Sequence, residues 1–311
     1  MRPELVLVAP CYNEASRLDP EAFLHFVTTH PGRQLVLVDD GSVDGTGKIL
    51  DRIRGAAPAS VTIVRQPINR GKGEAVRAGM LAALSRRPRA IGFFDADLST
   101  PLQAVDDFLA VLRTRPAVDL VLGSRVMLLG RDVKRRPSRH YLGRVFATAV
   151  SHALDLPVYD TQCGAKMLRV NASTAALFDE PFRSRWVFDV ELIARYLRLP
   201  AGPGDPLRRD RIYELVLPAW HDKPGSKLGW ADFPRALVDL GHIWRERLRD
   251  LSSGDRVRAI VPQMREIFPP SPTAQYLGIL PDPVRHGRPG RRRSGNCPPH
   301  RRVRPGSGST Q

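Results

Sequence analysis

Ile91-Gly92-Phe93-Phe94-Asp95-Ala96-Asp97 is an apolar run that ends in two carboxylates one residue apart. A short hydrophobic run closed by turn signals reads as a buried strand. Alternate residues of a strand share a face, so an extended backbone through Ala96 would project Asp95 and Asp97 together. In open α/β sheets the carboxyl ends of the strands are where ligands sit. Two adjacent carboxylates repel unless a cation intervenes, and oxygen donors suit Mg²⁺ or Mn²⁺. An ion held there would in turn hold the phosphates of a nucleotide. Ser99-Thr100-Pro101 follows, predicting a helix over 101–113 with Thr100 as N-cap and Pro101 at N1.

The same grammar recurs on either side. Glu4 to Ala9 and Gln34 to Val38 read as strands, the first running into Pro10-Cys11-Tyr12-Asn13-Glu14 and the second into Asp39-Asp40-Gly41-Ser42. Further strands are expected at Val61–Val64, Asp119–Leu122 and Ile212–Leu217, with helices at 20–29, 44–54, 74–84, 188–199 and 233–251. Strands alternating with helices from the start of a chain predict an α/β fold, a mostly parallel sheet covered on both faces. Acidic strand ends in such a sheet converge on one crevice, which makes Asp40 a candidate ligand contact beside Asp95 and Asp97. Gly71-Lys72-Gly73-Glu74 lacks the spacing and the Ser or Thr of a Walker loop. It remains a glycine-rich helix start, able to bring Lys72 near a diphosphate.

Length and charge narrow the classes. The 311 residues carry 42% hydrophobic side chains, enough for a real core, and a net charge of +16 with pI near 10.7. Residues 255–311 hold 11 Arg and no Lys against 3 acids, so half the excess lies in the last fifth of the chain. That Pro-, Gly- and Arg-rich stretch is expected to be a largely disordered tail behind a domain at 1–254. A body this mildly basic argues against nucleic acid as a partner of the domain. Three widely spaced cysteines (Cys11, Cys163, Cys297) form no disulfide or zinc pattern and suit a reducing, cytoplasmic compartment. No apolar run approaches the roughly 20 residues of a spanning helix. Arg131, Lys134, Arg135, Arg136, Arg139 and Arg144 crowd one segment; by default it is a solvated loop, and the alternative, beside an apolar helix, is contact with anionic headgroups or a lipid phosphate. Cys163 has no adjacent base and reads as packing rather than as a nucleophile.

Several of these stretches, in order, resemble family 2 glycosyltransferases of the GT-A fold: Val8–Glu14, Val38–Thr46, Asn69–Gly73 and the Asp95-Ala96-Asp97 triplet. Gly123-Ser124-Arg125, Asp160–Lys166, Arg185–Leu192 and Gly225–Leu228 resemble the dolichyl- or polyprenyl-phosphate branch, above all its β-glucosyltransferases. The resemblance covers about residues 3–250 and implies an inverting, metal-dependent hexosyltransferase. Its donor would be a nucleotide sugar such as UDP-glucose, and its acceptor a polyprenyl phosphate. It implies that Pro10, Tyr12, Asn13, Glu14, Asp39, Asp40, Lys72, Asp95 and Ala96 bind the donor. Asp97, with Asp95, would hold Mg²⁺ or Mn²⁺. Arg125, Arg139 and Lys227 would face phosphates, and Asp160 would orient the acceptor or complete the metal shell. For a hydroxyl acceptor, Asp160 or Asp189 would serve as base. The family's eukaryotic members carry an N-terminal anchor; Leu5-Val6-Leu7-Val8 is too short a run to be expected to serve as one, and peripheral attachment at the cytoplasmic face of the membrane is expected instead. Three alternatives compete: a family 2 enzyme with a saccharide acceptor, a sugar-1-phosphate nucleotidyltransferase, and a non-catalytic RNA- or membrane-binding protein acting through its tail. Pro10–Glu14, where a nucleotidyltransferase needs a glycine-rich loop, weighs against the second. The acids at 95 and 97 weigh against the third.

Overall fold

A computed structural model of the chain describes residues 2–134, 137–185, 187–200, 207–223, 238–243 and 245, without the side chains of 137–142 and 144. All of these fall in the unit Met1–Pro262. Lys227, most of the helix expected at 233–251 and the whole expected tail 255–311 lie outside the described residues.

Seven strands form the central sheet in the order β3-β2-β1-β4-β7-β5-β8. They are β1 (Leu5–Cys11), β2 (Arg33–Asp40), β3 (Val61–Gln66), β4 (Ala90–Phe94), β5 (Leu120–Ser124), β7 (Ala165–Arg169) and β8 (Ile212–Val216). β6 (Asp132–Lys134) and β9 (Ala219–His221) make a separate parallel pair. The helices are α1 (Pro20–Thr28), α2 (Thr46–Ala56), α3 (Lys72–Leu84), α4 (Ala104–Thr114), α5 (Pro137–Leu154) and α6 (Phe188–Arg198). Every pairing in the large sheet is parallel except those of β7, which runs antiparallel between β4 and β5.

Both faces of the sheet are covered, which is why β1 and β2 read as continuous apolar runs rather than alternating ones. Leu5, Leu7, Leu35, Leu37 and Phe94 pack with Phe23 and Phe26 of α1, Leu50 and Ile53 of α2, and Phe108 and Leu112 of α4. On the other face Phe93 meets Phe188 of α6 at 5.7 Å between ring centres. Each fully buried side chain of this size contributes about 1.5–3 kcal/mol of transfer free energy.

Three local expectations fail for identifiable reasons. The strand ends at Phe94, and a turn closed by Leu98 N–H to Asp95 C=O (3.1 Å) replaces extended backbone at 95–97. Thr100 caps nothing. Ala104, Val105 and Asp106 bond back to Pro101, Leu102 and Gln103, an i→i−3 turn that delays α4 to Ala104. β7 and the β6–β9 pair were not expected from the sequence.

Candidate active site

The parallel strands β1, β2, β4 and β5 deliver Tyr12–Glu14, Asp39–Asp40, Asp95–Asp97 and Arg125 to the same edge of the sheet. Because β7 runs the other way, it is its amino end, Gly164 to Lys166, that arrives there.

The first two loops clasp each other. Asn13 N–H donates to Ser42 Oγ (3.1 Å), and Asn13 Oδ1 accepts from Val43 N–H (3.0 Å). Glu14 N–H donates to Thr46 Oγ1 and Ala15 N–H to Asp44 Oδ2. Asn13 takes φ +49°, a left-handed backbone that Asn tolerates better than most residues. Pro10, the last residue before Cys11 in β1, lies in register with Val38. Glu14 pairs with Arg17 (2.5 Å), whose other nitrogen stands 4.0 Å from Asp97.

Asp39 and Asp40 serve opposite faces of one strand end. Asp39 accepts from Ser42 N–H (3.0 Å), while Asp40, only 1% exposed, accepts from Asn69 Nδ2 (3.0 Å), Arg70 N–H (2.8 Å) and Gly71 N–H (2.9 Å). Burial pushes the Asp40 pKa up, and the two backbone donors work against it. Gly71 has φ +93°, and a Cβ there would lie 2.7 Å from Arg185 Nε. Asp40 thus fixes the loop that launches α3 and aims its first side chain, Lys72.

Lys72 Nζ reaches Asp95 Oδ1 at 2.5 Å and lies 5.9 Å from the Phe188 ring centre. Burial opposes its charge, but Asp95, Asp189 and Asp97 prevail and leave its pKa raised. Asp95 N–H donates to Gly164 C=O (3.0 Å), and a Cβ on residue 164 would fall 1.9 Å from Asp95 Oδ2. Only glycine lets the acidic turn seat against β7. Ala96 is buried between the two acids. Asp97 turns outward, its Oδ1 accepting from Ser99 N–H (2.9 Å).

Two buried ion pairs back this turn. Lys166 Nζ, fully buried, bonds Asp189 and donates to Cys163 C=O (2.8 Å). Burial raises the Asp189 pKa, against the pull of Lys166 and Lys72. Glu191, two residues on, turns instead to Arg183 N–H (2.9 Å) and Arg195. Arg125 meets Asp160 in a fork (Nε–Oδ2 2.6 Å, Nη2–Oδ1 2.8 Å), and its backbone N–H donates to Oδ2 as well. Burial disfavours the Arg125 charge, yet Asp160 outweighs it and raises the pKa. Glu214 of β8 holds the Asp160 loop through Tyr159 N–H and Asp160 N–H, and Trp220 stands 5.3 Å from the Arg125 guanidinium. Asp160, expected to serve as base or metal ligand, is in this state engaged by Arg125 and by Gln162 N–H. Cys163 is buried, and burial lifts its thiol to about 11, which leaves it protonated at neutral pH.

Lys166, Arg17, Asn69 and Glu214 were given no role from the sequence, although Asn69 and Lys166 lie in stretches that carry the family resemblance, and Lys166 is a lysine within the apolar Ala165–Leu168. Arg139 lies on α5, with its side chain outside the described set.

No three or more His, Cys, Asp or Glu side chains converge as a metal cage among the described residues. Asp95 and Asp97 nonetheless fit a Mg²⁺- or Mn²⁺-type ion, which commonly takes one or two carboxylates and completes its shell with substrate phosphates. Asp97 is 21% exposed, and among the described residues its nearest cation, Arg17, is 4.0 Å away.

A mostly parallel sheet with an acidic turn and basic side chains at its carboxyl edge is the architecture of GT-A glycosyltransferases. Residues 6–175 match the family described as Glycosyl transferase family 2, and the chain belongs to that family. It is 31% identical over 250 residues to a dolichyl-phosphate β-glucosyltransferase of Trichomonas vaginalis, covering 76% of this chain and 69% of that one. With the Mus musculus dolichyl-phosphate β-glucosyltransferase it shares 32% identity over 283 residues, 82% of this chain and 78% of that one. Among solved structures, glucosyl-3-phosphoglycerate synthase of Mycobacterium tuberculosis in complex with phosphoglyceric acid superposes with a TM-score of 0.56 at 20% identity, covering 78% of this chain and 80% of that one. The fold is shared and the chain is a glycosyltransferase.

Proposed function

We propose that the protein transfers glucose from UDP-glucose to a polyprenyl phosphate with inversion, giving a polyprenyl-phosphate β-glucoside and UDP. The observation that carries this reading is that one edge of the sheet gathers the acidic turn 95–97, Lys72 at 2.5 Å from Asp95, and Arg125 at the end of β5. A transfer from a diphosphate donor to a phosphate acceptor needs a cation for each. The relatives above, named as dolichyl-phosphate β-glucosyltransferases, supply the acceptor class. A glucosyl-3-phosphoglycerate synthase structure with Mn²⁺ and UDP-glucose, TM-score 0.52, motivates the donor and the ion.

On this reading Pro10, Tyr12, Asn13, Glu14, Asp39 and Asp40 line the nucleoside end, with Asp40 acting through the loop that carries Lys72. Lys72 leaves Asp95 for the diphosphate of the donor. Asp97, with Asp95, holds the divalent ion, whose chemistry is Lewis-acid stabilisation of the departing diphosphate. Arg125, held in orientation by Asp160, steers the acceptor phosphate in line behind the anomeric carbon. Arg139 and Lys227 are assigned to the same phosphate by resemblance alone. One phosphate oxygen bonds to that carbon as its bond to the UDP oxygen breaks. The acceptor is already anionic at pH 7, so neither Asp160 nor Asp189 is asked to take a proton. Asp189 instead fixes Lys166 beneath the turn.

Organic extraction after incubation with labelled UDP-glucose, Mn²⁺ and a polyprenyl phosphate tests this. Label in a β-linked, lipid-soluble phosphodiester supports it. Label only in a water-soluble glucoside would make the acceptor a saccharide or small molecule.

A further inference from the structure

The backbone that leaves β5 at Arg125 runs directly into Met127-Leu128-Leu129, and all three side chains face solvent: 49%, 52% and 104% exposed. Three consecutive large apolar residues at a loop tip are a liability in water unless something covers them. The tip is built, not frayed. Arg131 N–H closes it onto Leu128 C=O (3.1 Å), Gly130 turns it with φ +79°, and Asp132 N–H docks its exit on Pro218 C=O (3.0 Å). The β6–β9 pair then clamps its base.

Basic residues follow the tip in the sequence. Arg131 follows at once, exposed, and the sequence continues through Lys134, Arg135, Arg136, Arg139 and Arg144. The segment's acid, Asp132, is answered by Lys134 at 3.2 Å and His221 at 2.7 Å. Apolar side chains that dip below a layer of anions, ringed by cations that meet those anions, are what an anionic bilayer surface requires.

We infer that Met127-Leu128-Leu129 is a membrane-insertion tip, seated in an anionic lipid surface with Arg131 and Lys134 at headgroup level. The inference rests on the proposed lipid acceptor and locates how it is reached. The tip begins two residues after Arg125, so its insertion holds the acceptor-side cation at the depth of lipid phosphates. A protein partner would need an apolar socket edged with acids; the bilayer supplies both features without one.

The test is co-sedimentation of the full chain with phosphatidylcholine vesicles, with and without phosphatidylserine. It compares wild type with Leu128→Asp/Leu129→Asp and with Arg131→Glu. Both leucines are exposed, so circular dichroism should be unchanged. The expected results are preferential binding of wild type to the anionic vesicles and a loss of roughly tenfold or more in partitioning for the double variant. Arg131→Glu should lose part of the phosphatidylserine preference. Transfer to a short, water-soluble polyprenyl phosphate without vesicles should be unaltered. Undiminished vesicle binding by the double variant would overturn the inference and leave attachment to the Arg-rich 255–311 segment. So would a wild type that ignores vesicles, or a double variant that differs only in being less oligomeric. Tip-dependent vesicle binding without any sugar transfer to lipid phosphate would instead sink the proposed acceptor and leave the surface standing.

Discussion

Lys72 Nζ sits 2.5 Å from Asp95 Oδ1, so the acidic turn at the end of β4 is held by a cation from the start of a neighbouring helix. Both side chains are about a third exposed, which limits what the pair adds to stability. Its value lies in placement. Lys72→Met should leave the melting temperature within a few degrees while lowering kcat/KM for the nucleotide sugar by about 10–100-fold, mostly in KM. Steady-state kinetics beside a thermal melt would separate the two effects; an unchanged KM would remove Lys72 from the donor site.

Asp97→Ala should abolish most transfer, by about 10²-fold or more, with the fold intact. The residue is partly exposed and makes one hydrogen bond to its own turn. Turnover near wild type, still requiring a divalent ion, would take the metal-binding role away from it.

Gly164→Ala puts a methyl group where the Asp95 carboxylate lies. Because Asp95 N–H is also tied to Gly164 C=O, the turn cannot simply swing away. A cost of about 1–3 kcal/mol in urea unfolding, together with weakened Mn²⁺ and donor binding, is expected. Full stability and full affinity would show that the turn is softer than its packing suggests.

Lys166 and Asp189 form a buried ion pair, so removing either partner would leave the other's charge uncompensated. Lys166→Met or Asp189→Asn alone should cost about 3–5 kcal/mol, whereas the combined change should cost less than the sum. A double-mutant cycle by chemical denaturation measures the coupling. Additive losses would mean that the two groups do not depend on each other.

Cys163 gives a pH signature. Its folded pKa, about 11, exceeds its ordinary value of 9.0 because burial disfavours the thiolate. A raised pKa contributes stability that is complete below the unfolded value and lost as pH rises through the folded one. Stability should therefore fall between about pH 9 and pH 11 by more in wild type than in Cys163→Ala. Alkylation at pH 8 should be far slower folded than unfolded; equal rates would show an accessible thiol.

The parallel half of the sheet was legible because β1, β2 and β4 are uninterrupted apolar runs that end in loops or acids. Parallel strands buried on both faces leave that trace. β7 was not, since Lys166 interrupts Ala165–Leu168 and antiparallel insertion between β4 and β5 is a long-range pairing with no local mark. Asp95, Asp97, Asp40 and Lys72 could be nominated from strand ends and a helix start. The fork between Arg125 and Asp160 spans 35 residues, so no spacing announces it. Thr100 and Pro101 carry good cap chemistry, but the i→i−3 turn at 101–106 supersedes it.

The most direct test is UDP release from UDP-glucose with Mg²⁺ or Mn²⁺, with and without a short polyprenyl phosphate. UDP should appear at an appreciable rate only when the lipid phosphate is present, one UDP for each glucosylated lipid. Slow donor hydrolysis that the lipid leaves unchanged would contradict the acceptor assignment while leaving a family 2 transferase in need of another acceptor.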